Sequence, residues 1–163
     1  LTACNGPRGP TPPGEPDRYA SDPKTFYGYI ARGAGLRGTL DDGTIAPTAA
    51  ASSIAFAPDI VIPAIQAMQH RYGDLLYTRY GFVDAFNPSF RFTDRPLRSG
   101  EVVPAKGWFD SLYLGIDQGP IIAMIENYRS DLVWKMMRKN PYIREGLERA
   151  GFTGGWLDQA QAK

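Results

Sequence analysis

Between Gln118 and Lys139 apolar residues recur at helical spacing, with Ile121, Ile125, Tyr128, Leu132 and Met136 forming one stripe. Ile122, Met124, Val133 and Trp134 widen that stripe well beyond a simple amphipathic face. A helix with so wide an apolar surface must be buried against several others, more than the remaining residues supply. Pro120 suits a first turn, Asp117 or Gly119 can cap it, and Arg138 and Lys139 meet its negative end. This helix constrains the fold more than any other segment: helix must pack on helix.

Shorter helices fit around it. Pro47 followed by Thr48 to Phe56 predicts one, with proline at its first turn. Pro58-Asp59 opens a second, carried by Ile60, Val61, Ala64, Ile65 and Met68 and stopped by Tyr72-Gly73-Asp74, with Pro63 able to kink it. Asn140-Pro141 starts a third over Tyr142 to Ala150, closed by Gly151. The first 47 residues are instead crowded with glycine and proline, and Leu75 to Gly115 is aromatic and irregular. That second stretch reads mostly as loop, with short strands conceivable at Phe90–Thr93 or Glu101–Pro104. The expected class is all-α, one domain, with its working surface on long loops. The glycine- and proline-rich start and the surplus of apolar helix face suggest a piece of a larger domain.

Charge and residue counts exclude several chemistries. Eighteen Lys and Arg against seventeen Asp and Glu leave a net charge of +1, without the basic excess that nucleic-acid binding needs. The longest strictly apolar run, Ile121–Ile125, is far short of the ~20 residues of a membrane span. One cysteine, Cys4, allows no intrachain disulfide, and one histidine, His70, offers little for a metal site or a Ser-His-Asp constellation. No metal or cofactor is expected.

Seven segments occur together in order: Leu1-Thr-Ala-Cys-Asn-Gly-Pro7, Phe26-Tyr-Gly-Tyr-Ile-Ala-Arg-Gly-Ala34, Asp41-Asp-Gly-Thr-Ile-Ala-Pro-Thr48, Tyr80-Gly-Phe-Val-Asp-Ala-Phe-Asn-Pro88, Leu114-Gly-Ile-Asp-Gln-Gly-Pro120, Met124-Ile-Glu-Asn-Tyr-Arg129 and Asn140-Pro-Tyr142. Together they closely resemble the C-terminal part of the glycoamylase-like domain of bacterial β-1,2-glucan hydrolases and cyclic β-1,2-glucan synthases. The resemblance implies that residues 1–163 are the C-terminal portion of one (α/α)₆ toroid, with sugar bound in a cleft of loops at one end. It implies that the N-terminal portion lies outside this chain, as a possible partner. Asn5 stands where the family pattern has an acid.

Glycoside hydrolysis needs two carboxyl groups across the scissile bond. Asp117, where an aromatic loop enters a buried helix, is the first candidate, with helix capping as the alternative role. Glu126 is the second; an intrahelical pair with Arg129 is its alternative, and buried toward the toroid axis it would suit a general acid. Asp41 and Asp42, before Gly43-Thr44, form either a turn or a set of contacts to sugar hydroxyls. Arg32 pairs with one of them or bridges hydroxyls. Asp84 and Asn87 sit among Tyr80, Phe82 and Phe86, a mixture resembling a sugar subsite and equally a structural cluster. Tyr29 and Trp108 are candidate stacking platforms, and Gln118 a candidate sugar contact.

The expected function is hydrolysis of a β-glucan, most plainly a β-1,2-linked one, outside the cytoplasm in the periplasm or beyond. A non-catalytic carbohydrate-binding or assembly fragment and a transglycosylase of the same family are the alternatives.

Overall fold

The structure, a computed structural model, describes Arg32, residues 41–94 and residues 96–158. Tyr29 and Asn5 lie outside them. Five helices carry the framework: α1 (Pro47–Ala51), α2 (Pro58–Tyr72), α3 (Gly115–Ser130), α4 (Leu132–Arg138) and α5 (Pro141–Arg149). Proline opens α1, α2 and α5, where its missing N–H costs no helical hydrogen bond. In α5 the Asn140 side chain accepts the Tyr142 N–H at 3.0 Å, as the cap signal predicts, and Gly151 just beyond has φ +83°. The first helix is shorter than expected. It ends at Ala51, where the Ser52 and Ser53 hydroxyls turn back onto the Ala49 carbonyl.

The long helix expected over 118–139 is two helices. Asp131 takes the left-handed conformation at φ +58°, ending α3 and starting α4. Three polar groups hold this break. The buried Asn127 side chain accepts the Trp134 N–H at 3.0 Å, Ser130 Oγ accepts that of Leu132 at 3.2 Å, and Arg138 pairs with the Asp131 carboxylate. Apolar residues recur at helical spacing straight through the break, so that pattern does not mark it. The start also differs: α3 begins at Gly115 with Leu114 before it, no side chain caps it, and Asp117 is its third residue.

About half of the described residues are helical, and a few short strands stand among the loops that join the helices. Strands β1 (Tyr77–Thr78) and β2 (Gly81–Phe82) form a hairpin. Strands β3 (Phe86–Asn87), β4 (Glu101–Val103) and β5 (Gly107–Phe109) form an antiparallel sheet in the order β3-β5-β4. Ile45, entering α1, bridges to Phe86 and ties that sheet to the helices. Glu101 onward is a strand, as its β-branched residues suggest. Phe90–Thr93 is not, because Asn87 captures the Phe90 N–H in a turn.

Three small apolar clusters hold the layers together. Ala46, Ala85, Phe90 and Trp108 lie beneath the sheet. Leu76, Val83, Phe86 and Phe109 form the second, in which Phe86 and Phe109 stack at 5.9 Å and Tyr72 of α2 leans on both. Ala51, Phe82 and Ile121 fasten α1 and the hairpin to α3. The helices leave much apolar surface uncovered, including Ile60 at 73%, Ile116 at 81% and Ile122 at 71% exposure.

Candidate active site

All the polar candidates lie in the layer of loops and strands that joins the C-terminus of α2 to the N-terminus of α3 and the chain entering α1, or on α3 itself. Within that layer Arg32, Asp42, Thr44 and Asn87 converge. The Arg32 guanidinium pairs with the Asp42 carboxylate and reaches Thr44 Oγ1 at 3.3 Å. The Asp42 carboxylate also accepts the Thr44 N–H at 3.0 Å. Asn87 donates to the Asp42 carbonyl and to Thr44 Oγ1, both at 3.0 Å, and accepts the N–H groups of Ser89 and Phe90. Burial lowers the Arg32 pKa to about 9, which still leaves it charged at neutral pH. All four residues are buried, so this is a closed knot tying the segment before α1 to β3, not an open row of sugar contacts. The Arg32–Asp42 pair, the Asp42 turn onto Thr44 and the structural cluster around Asn87 are thus the alternatives that the structure takes over direct sugar contact. Asp41, one residue away, is exposed and outside the knot.

Trp108 is corrected. It is 2% exposed, lies in the core with Phe90, and donates its indole N–H to the Ser99 carbonyl at 2.9 Å. A ring so enclosed cannot stack on a sugar. Asp84 is buried too, and its N–H donates to the Leu112 carbonyl at 2.9 Å, joining the end of the hairpin segment to the approach of α3.

Asp117 and Glu126 occupy different places. Asp117 lies in the first turn of α3, where the helix dipole favours a negative charge. Its Oδ2 is buried and has no hydrogen-bond partner among the described residues, so the carboxylate does not serve as a cap. Ile121, one turn below, packs against Phe82 and Ala51. Glu126 is nine residues further on, about two and a half turns and 13–14 Å along the axis. Half-turn offsets put the two carboxylates on opposite faces of the helix. Paired glycosidase carboxyls stand roughly 5–9.5 Å apart, so Asp117 and Glu126 are not such a pair. Glu126 takes the Ser130 hydroxyl one turn on, in place of the Arg129 partner expected.

Gln118 turns toward the hairpin, donating to the Phe82 carbonyl at 2.7 Å. A cavity of about 590 Å³ opens there, walled by Tyr77, Tyr80 and Phe82 on one side and by Ile65, Ile121 and Ile125 on the other. A second cavity of about 310 Å³ lies on the other side of the hairpin, lined by the acids Asp74, Glu101 and Asp110 and the hydroxyls of Thr78, Ser111 and Tyr113. Sequence reasoning missed this polar cavity. Its residues are spread from the end of α2 to the approach of α3, and only the pairing of β4 with β5 brings Glu101 alongside Phe109 and Asp110. Among the described residues no cluster of His, Cys, Asp and Glu is arranged to hold a metal, and no helix is long and apolar enough to cross a membrane.

Comparison with known proteins converges on one group. The family model described as "Putative glucoamylase" matches residues 1–141. An exo β-1,2-glucooligosaccharide sophorohydrolase (non-reducing end) of Parabacteroides distasonis is 32% identical over 109 residues, 67% of this chain and 13% of that protein. An endo-β-1,2-glucanase of Chitinophaga pinensis, solved with sophorotriose and glucose, is 34% identical, with a TM-score of 0.61 over 80% of this chain and 27% of its own. A β-1,2-glucanase structure from Parabacteroides distasonis gives 27% identity and a TM-score of 0.54 over 76% of this chain and 17% of its own. The chain therefore spans only about an eighth to a quarter of the length of these relatives.

Proposed function

The chain belongs to the glycoamylase family, and on that premise we propose that it forms the C-terminal part of a β-1,2-glucan hydrolase with Asp117 as one of its catalytic carboxylates. Asp117 carries the reading. It is a carboxylate in the first turn of a 16-residue helix, with a buried oxygen that no group among the described residues satisfies. Rigid helical support and an unsatisfied acceptor suit a group whose partner is the substrate or its attacking water. The relatives named for β-1,2-glucan hydrolysis give the substrate class.

The same reading assigns the fold to an (α/α)₆ toroid, completed by helices outside residues 1–163. The uncovered apolar surface at Ile60, Ile116 and Ile122 supports it, since a lone fragment gains nothing from exposing such residues. Because Glu126 faces away from Asp117, the second carboxyl of the pair comes from the completing portion or from the polar cavity. The same proposal has the protein act on its polymer in the periplasm or outside the cell.

The test is product analysis on linear β-1,2-glucan, β-1,3-glucan and starch, with native mass recorded on the same preparation. Sophoro-oligosaccharides or glucose from the β-1,2 polymer alone support the reading. Asp117→Asn should then lower turnover by roughly 10²-fold or more. Full turnover by that variant refutes the assignment. Saturable binding without products favours the carbohydrate-binding alternative.

A further inference from the structure

The β1–β2 hairpin is joined to α3 by a polar contact as well as by the packing of Phe82 on Ile121. Gln118 donates its amide to the Phe82 carbonyl at 2.7 Å, and the preceding residue of the same strand, Gly81, lies directly against that amide. A Cβ at Gly81 would come within 2.5 Å of Gln118 Oε1, and Gly81 has φ +98°, so this glycine is required both by its backbone and by its neighbour. On its other side the hairpin is tied by Thr78 Oγ1 donating to the Tyr113 hydroxyl at 2.9 Å. The hairpin thus touches the first two turns of α3 at Gln118, next to Asp117, and at Ile121, one turn further on, and lines both cavities. At its tip Tyr80 is 62% exposed on the rim of the larger cavity.

We propose that Gln118 is a positioning residue for the glucanase reaction: through the Phe82 carbonyl it fixes the hairpin over the head of α3 and so keeps the surroundings of Asp117 in one geometry. This rests on the reading of Asp117 as a catalytic carboxylate. It also gives Gln118, expected from sequence to bind sugar directly, a structural partner, since one of its amide N–H donors is engaged by the Phe82 carbonyl. A clamp of this kind acts on the turnover step. Misplacing a reacting group by an ångström costs orders of magnitude in rate while leaving remote sugar contacts intact.

The experiment combines a double-mutant cycle with kinetics on linear β-1,2-glucan. Gln118→Ala and Gln118→Glu, neither of which can donate to Phe82 at neutral pH, should each lower kcat about tenfold or more with KM within about twofold. Gly81→Ala should lower the melting temperature less in the Gln118→Ala background than alone, by at least about 3 °C, because the clash partner is gone. In Gln118→Ala the Val83 amide, bonded to the Leu76 carbonyl at 3.0 Å, should exchange its hydrogen faster. A rise in KM with unchanged kcat makes Gln118 a substrate contact and overturns the proposal. Additive melting shifts with unchanged exchange overturn the clamp while leaving the glucanase reading standing. All these variants are made in the full-length protein that contains residues 1–163 and its completing helices; absence of turnover by that unmodified full-length protein defeats the glucanase reading instead, and the catalytic role of Gln118 with it.

Discussion

Replacing Asn87 by alanine should be among the most damaging single changes in the loop layer. The side chain makes at least four hydrogen bonds, donating to the Asp42 carbonyl and Thr44 Oγ1 and accepting from the N–H groups of Ser89 and Phe90. Ser89 is exposed and water can replace its bond, and Thr44 keeps Arg32 as a partner. The Phe90 N–H keeps the Asn87 carbonyl at 3.3 Å, so the loss falls mainly on the bond to the Asp42 carbonyl, and a buried group that loses such a bond costs about 1–3 kcal/mol. The expected total is about 2 kcal/mol. For a protein of this size that lowers the melting temperature by about 6 °C. Thermal and urea unfolding followed by tryptophan fluorescence measures it directly, since Trp108 pairs with Asn87 across β3 and β5. Asp41→Ala, at an exposed neighbour outside the knot, should leave the midpoint unchanged. A shift under about 3 °C for Asn87→Ala would show that the knot is not a fixed structural unit and would return Asn87 to the list of sugar contacts.

Three further outcomes follow from packing and backbone geometry. Trp108→Ala should cost about 3–5 kcal/mol in urea unfolding, and Trp108→Phe markedly less, with glucan affinity of the folded protein unchanged in the second; a selective loss of glucan binding in Trp108→Phe would contradict its place in the core. Gly100→Ala should fail to give a folded protein by circular dichroism at 37 °C, because φ is +72° and a Cβ would sit 2.0 Å from the Phe109 carbonyl oxygen. Glu126→Gln should retain turnover on β-1,2-glucan within about twofold, since its carboxylate faces away from Asp117; a hundredfold loss would show that the two acids act together.

Helices were legible where local signals decide them. Pro58, Asp59 and the spacing through Met68 mark α2, and it ends at Tyr72 before Gly73 as those signals require. Asn140, Pro141 and Gly151 mark α5 in the same way. The break at Asp131 was invisible because its determinants are polar contacts across the break, Asn127 to Trp134 and Arg138 to Asp131, laid over an uninterrupted apolar stripe. Strands of two or three residues carry too little period-2 pattern to be read.

The candidate site divides along the same line. Residue types suited to sugar contacts, a tryptophan on a loop or an asparagine among aromatics, are equally suited to fastening a loop layer onto a small core. Only burial distinguishes the two uses, and burial is a property of the whole fold. Asp117 and Glu126 show the point from the other side. Once both lie on one continuous helix, α3, their spacing alone separates them, so helix geometry, legible from periodicity, already argues against a pair. What periodicity could not supply is the buried oxygen of Asp117 without a partner among the described residues, which depends on how the whole fold packs around the head of α3. On the proposed reading the chemistry falls to Asp117, while Arg32, Asp42, Thr44 and Asn87, through their shared hydrogen bonds, tie the segment before α1 to β3.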